Sequence, residues 1–126
     1  GYILEKGNLT RVTEDHSLVN ELIKEGELSP EEAEHHPKKN IITRSLGISE
    51  NSELDEEFFQ ITKNSILMLC TDGLTNMVED TKLERLLNIS ESLPDKCQRL
   101  VDEANRAGGN DNISVLLVSF DEEVKY

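Results

Sequence analysis

Ile66-Leu67-Met68-Leu69-Cys70-Thr71-Asp72-Gly73-Leu74 is the stretch that decides the fold, and Gly108-Gly109-Asn110-Asp111-Asn112-Ile113 is its counterpart near the end of the chain. Each sets an acidic residue where an apolar run meets a turn containing glycine. The first run ends just before its Asp, and the second begins just after its own. If the runs form adjacent buried strands, Asp72 and Asp111 meet at one end of a sheet. Carboxylate oxygens gathered in this way bind hard divalent cations.

Either segment alone has a plainer explanation. Asp caps the turn after a strand, and an Asn-rich turn between a helix and a strand is ordinary. Gly73 would let the backbone turn sharply at the strand end. Gly109-Asn110-Asp111-Asn112 superficially suggests a calcium loop, but the ligand spacing of such a loop does not follow. Together, in this order and with two helices between them, the segments carry more weight than either does alone.

Working outward, Gly1 to Thr13 reads as strand, turn at Gly7-Asn8, strand. A chain that opens inside a hairpin suggests a piece of something longer. Leu18 to Lys24 has helical spacing, with Asp15 and Ser17 as candidate caps and Gly26 as the stop. Ser29-Pro30-Glu31-Glu32 predicts a second helix: Ser at N-cap, Pro at N1, Glu at N3. That helix is short and polar and ends near His36-Pro37. Ile41 to Leu46 reads as a strand or an extended link, and Ser49 to Ser52 as a turn. Leu54 to Thr62 alternates like an exposed strand, with Phe58 or Phe59 inward. Lys63-Asn64 turns into the buried strand Ile66 to Cys70. Asp80 is the expected N-cap of a helix through Leu87, with Leu83, Leu86 and Leu87 on one face. Pro94 at N1 opens another helix through Ala107, with Cys97, Leu100, Val101 and Ala104 inward, and Gly108-Gly109 stops it. Ile113 to Phe120 is a final strand, and Asp121 to Tyr126 a charged tail that frays. Tyr2, Phe58, Phe59, Phe120 and Met68 are expected in or beside the core. Strands that pair as antiparallel neighbours, with a helix pair over one face, make an α+β layered fold.

The length, 126 residues, suits one domain with a real core. Acidic residues number 26 against 13 basic, a net charge of −13, so no basic patch exists to neutralise phosphates and nucleic acid is excluded as a partner. No apolar stretch approaches a membrane span, and the first residues lack the pattern of a signal peptide. Cys70 falls in the most apolar run and reads as a small buried hydrophobe; a reducing cytoplasm fits best. His16, His35 and His36 read as solvated or capping histidines.

Here a family enters. The segments Leu67 to Asn76 and Gly109 to Val115 closely resemble two motifs of the PP2C-type (PPM) metal-dependent Ser/Thr protein phosphatases. Leu9 to Ser17 and His36 to Gly47 resemble two more, and the four blocks in order span nearly the whole chain. The bacterial branch is the most similar. The resemblance implies part of a four-layer α-β-β-α sandwich of antiparallel sheets, with the N-terminal half missing. It implies that residues 1–126 are the C-terminal part of the phosphatase domain, with a flap at about residues 17–40.

The resemblance further implies that Asp72 and Asp111 are metal ligands, in a family that holds two Mn²⁺ or Mg²⁺ ions sharing a bridging water. Asp72 would also help hold a third, weaker ion. Gly73 and Asn112 would support the ligand geometry, and Arg44 would lie near substrate beside the flap, although a structural salt bridge is the plainer role for it. The partners implied are phosphorylated Ser/Thr proteins, with a Ser/Thr kinase in opposition. The family's N-terminal half carries a phosphate-binding Arg, an Asp that bridges both metals and a His proposed as general acid. None of these has a counterpart here, so no catalytic residue beyond the metal ligands is assignable. The chain alone is therefore expected to be inactive, and its truncated sheets to favour self-association. A PP2C-fold pseudophosphatase or a protein-binding module without catalysis is the alternative. So is a sibling acting on one phosphorylated regulatory protein.

Overall fold

The computed structural model describes residues 1–47, 50–51 and 53–120. Two sequence expectations, the turn at Ser49 to Ser52 and the tail from Asp121, lie wholly or partly outside them. The chain divides into two compact units: Gly1–Thr13 with the described residues from Phe58 onward, and Glu14–Glu57.

The first unit is a four-stranded antiparallel sheet with helices packed on it. Its strands are β1 (Tyr2–Glu5), β2 (Asn8–Arg11), β3 (Ser65–Cys70) and β4 (Val115–Phe120), in the order β2-β1-β3-β4. The β1–β2 turn sits on Lys6 and Gly7, with φ of 50° and 86°, one residue before the expected Gly7-Asn8. Two consecutive positive φ values give a hairpin turn whose twist matches the strands. Asn8 is thereby released to pair with Glu5.

Three helices belong to this unit: α3 (Asp72–Thr75), α4 (Asp80–Asn88) and α5 (Leu93–Arg106); α1 (Leu18–Glu25) and α2 (Pro30–Glu34) lie in the other. Ser92 caps α5, its hydroxyl accepting from Asp95 N at 3.3 Å, and Pro94 follows Leu93 rather than opening the helix. On α4 the N-cap is Glu79, which makes no side-chain cap bond. Asp80 is instead the first helical residue, where its charge still faces the positive end of the helix. Leu83 and Leu87 of α4 and Leu100 and Ala104 of α5 are fully buried. They close over Tyr2, Leu4, Ile66, Met68 and Leu117 on one sheet face. Lys96 is buried as well, and its Nζ donates to the Leu87 carbonyl at 2.5 Å. That bond satisfies a carbonyl at the end of α4 which has no partner inside the helix.

The other sheet face is exposed along part of β3 and β4, although Ile3 and Ser65 on the same face are buried. The continuous apolar run of β3 predicts burial on both sides, yet Leu69 is 42% exposed. Its cross-strand partner Leu116 is 55% exposed, and Val118, opposite Leu67, is 37% exposed. Leu54 to Thr62 forms no strand. Among the described residues the sheet strands pair only with one another, and this segment joins neither edge. Phe58 and Phe59 are consequently out of the core, at 90% and 41% exposed, against expectation. Tyr2 and Met68 are buried as expected, and Phe120 is half-buried. Cys70 is half-buried against the core rather than within it.

The Glu14–Glu57 unit holds α1 (Leu18–Glu25) and α2 (Pro30–Glu34). Ser17 caps α1, and Gly26 ends it in the left-handed region at φ 76°. Ser29 and Glu32 form the reciprocal capping box that opens α2. This bonding, backbone first, holds the Glu32 carboxyl below its ordinary value. Ile41 to Leu46 is an extended link, with one bridge from Ile42 to Ser17. Val19 and Ala33 are buried within this unit.

Candidate metal centre

The two acidic segments are brought together by strand pairing. Cys70, the last residue of β3, is opposite Val115, the first of β4. Past that pair the ladder continues through one more residue, since Thr71 N donates to Ser114 O at 3.1 Å. Asp72 then opens the single-turn helix α3, and Asp111 lies just before the return to β4. Both carboxylates are exposed at the same end of the sheet.

Two contacts fix this junction. The Thr71 hydroxyl donates to the Asn112 carbonyl at 3.1 Å and accepts from Ser114 N at 3.0 Å. Thr71 is the N-cap of α3, but its side chain makes no capping bond, being engaged across the strands. Gly73 is buried directly under the Asn112 carbonyl: a Cβ there would stand 2.1 Å from Asn112 O and 2.9 Å from Asn112 C. The expected reason for this glycine was a sharp turn. The observed reason is close approach, because Gly73 lies within a regular helical turn and is not among the glycines with positive φ. Asn112 acts through its backbone: its carbonyl accepts from Thr71, and its N–H donates to Asp111 Oδ1 at 2.7 Å. Sequence reasoning missed Thr71. A hydroxyl residue between a strand and its terminal Asp was the available signal.

The donor chemistry suits a hard divalent cation, since both side chains offer carboxylate oxygen. Their number is small. Among the described residues no group of three or more His, Cys, Asp or Glu could hold a metal ion. Two carboxylates leave most of a six-oxygen shell to other donors.

Arg44 lies in the Glu14–Glu57 unit. Its Nη1 donates to Asp55 Oδ1 at 3.0 Å, and its Nη2 is 3.8 Å from Glu53 Oε2. His16 Nε2 shares a 2.5 Å hydrogen bond with Asp55 Oδ2. The His16 bond, ahead of the Arg44 contact, holds the Asp55 carboxyl below its ordinary value. His35 is the C-cap of α2, and His36 Nδ1 accepts from Lys38 N at 3.1 Å. Arg44, His16 and His36 thus each have a partner within that unit.

Comparison with known proteins adds to this geometry. Residues 16–121 match the family described as stage II sporulation protein E (SpoIIE). The chain is 47% identical over 118 residues to a protein named serine/threonine phosphatase stp of Listeria welshimeri, covering 94% of this chain and 47% of that one. Its structure superimposes on the S. agalactiae serine/threonine phosphatase with a TM-score of 0.87 and 41% identity, over 95% of this chain and 50% of that one. The catalytic domain of the phosphatase PstP, in complex with two manganese ions, gives 0.78 and 32%, over 96% and 49%. The chain spans about half the length of the curated relatives it matches.

Proposed function

Because the chain belongs to the PP2C-type (PPM) family of Ser/Thr protein phosphatases, with the SpoIIE pattern over residues 16–121, we propose that it is the C-terminal part of an enzyme that removes phosphate from phosphoserine and phosphothreonine in proteins. The observation that carries this reading is the junction of the two acidic segments, where Thr71 and Gly73 hold Asp72 and Asp111 at one sheet end.

In this reading Asp72 and Asp111 are ligands to Mn²⁺ or Mg²⁺, in a complete domain that holds two or three such ions. Bound there, the ions would lower the pKa of water and offset the charge of phosphoryl oxygens. The chain's own residues supply position. The α3 turn presents Asp72, and the Asn112 N–H orients Asp111 by its bond to Oδ1. Gly73 and Asn112 keep the two backbones in close contact. Residues 17–40 are taken as the family's flap, and Arg44, bonded to Asp55 beside Glu53, has the structural role of the two considered for it. Two carboxylates are too few to cage the ions, so the chain alone is inactive. The parent is a cytoplasmic enzyme opposing a Ser/Thr kinase; no helix among the described residues is long and apolar enough to cross a membrane. Through the sheet face exposed along β3 and β4 the isolated chain self-associates.

Phosphate release from a phosphothreonine peptide by the full-length protein tests this reading, with Mn²⁺ and after chelation. Metal-dependent turnover is expected. A full-length protein that binds phosphopeptides without turning them over would instead favour a pseudophosphatase or binding module. Turnover confined to one phosphorylated regulatory protein would favour the sibling branch.

A further inference from the structure

We infer that Thr71 is a positioning residue for the metal centre, its side-chain hydroxyl setting the separation of Asp72 and Asp111. The inference rests on the reading of those two residues as metal ligands.

Thr71 contacts the facing segment in three places. Its N–H donates to Ser114 O, its hydroxyl donates to Asn112 O, and the same hydroxyl accepts from Ser114 N. The first is an ordinary ladder bond that any residue but proline would make. The other two need a hydroxyl, because one atom must donate and accept at once. Asp72 follows Thr71 directly, and Asp111 directly precedes Asn112. The clip therefore acts one residue away from each carboxylate.

Thr71 is itself exposed, so its hydroxyl is not required to satisfy a buried group. Water can replace both bonds in a variant without it, at little cost in folding. Water cannot hold the two backbones at a fixed spacing. Gly73 makes that spacing matter, since the Asn112 carbonyl lies where its Cβ would be. A shift at Asn112 is carried to Asp111 through the Asn112 N–H and Asp111 Oδ1. Residues that orient metal ligands typically change affinity by roughly 10–100-fold when replaced.

The test is Mn²⁺ binding by the full-length protein, followed as loss of the free-ion paramagnetic resonance signal. Thr71→Val keeps the β-branched shape and removes the hydroxyl. Thr71→Ser keeps the hydroxyl. Asp72→Asn checks the underlying reading. Weakening of about 10-fold or more is expected in Thr71→Val, with near wild-type binding in Thr71→Ser. If Asp72→Asn weakens binding and Thr71→Val does not, the positioning role is overturned and the ligand reading stands. If Thr71→Ser is as weak as Thr71→Val, the hydroxyl is not the cause and the role is likewise overturned. Unchanged binding in Asp72→Asn overturns the ligand reading and this inference with it. Thr71→Ala serves the same comparison should the valine variant fail to fold.

Discussion

At the residue scale, Gly73 makes the most specific demand on the sequence. A Cβ at Gly73 would stand 2.1 Å from Asn112 O, a backbone atom, which cannot swing aside like a flexible side chain. Gly73→Ala must separate the two acidic segments or distort α3. A destabilisation of about 1–3 kcal/mol is expected, as for other overpacked sites. Urea unfolding with an unchanged slope and a lowered midpoint would show it; a wild-type midpoint would mean the carbonyl yields freely. Asp55 gives a pH-dependent prediction. Its native carboxyl lies below its ordinary value of 3.8, chiefly through the His16 bond. A depressed native pKa contributes stability above the unfolded value and loses it as pH falls through the native one. An NMR titration of the Asp55 carboxyl carbon should therefore have its midpoint below 3.8. A midpoint at or above that value would show that the His16–Asp55 pair does not persist in solution.

At the element scale, the helices were legible wherever a local rule specified them. Ser17, Gly26, Ser29 and the Gly108-Gly109 stop read correctly because caps are short-range chemistry. Helix starts differ by one residue at Asp80 and Pro94, where two adjacent residues could each begin the helix; α2 ends at Glu34 rather than near His36-Pro37, and the single turn α3 has no counterpart in the sequence expectations. Leu54 to Thr62 failed for another reason: alternation describes a face, but a strand exists only with a ladder partner. Caps and core also differ in magnitude. Ser92→Ala should cost about 1 kcal/mol through loss of the bond to Asp95 N. Leu100→Ala, at a fully buried position, should cost about 2–5 kcal/mol. Thermal melts of the two variants would rank them, and an equal or reversed order would contradict the burial of Leu100 against the sheet.

At the scale of the whole molecule, the sheet has one covered face and one that is exposed along β3 and β4 beyond the buried Ile3 and Ser65. Leu69, Leu116 and Val118 form an apolar surface without cover among the described residues. Both faces looked buried in the sequence because apolar composition cannot say which neighbour supplies the burial. For the isolated chain, sedimentation velocity should show concentration-dependent association, reduced by Leu69→Lys. A monomer at every concentration would mean this face is stable in water. The candidate site was legible as two carboxylates near one strand end. The clip between them was not, because Thr71 and Gly73 matter through a facing backbone that no local pattern announces. The proposed activity depends most directly on Asp72 and Asp111 serving one catalytic centre. The measurement is Mn²⁺-dependent phosphate release from a phosphothreonine peptide by the full-length protein, beside Asp72→Asn and Asp111→Asn. Each variant should lose on the order of 100-fold or more, given several kcal/mol from the metal at about 1.4 kcal/mol per decade. Metal-dependent turnover at the wild-type rate in either variant would contradict the account.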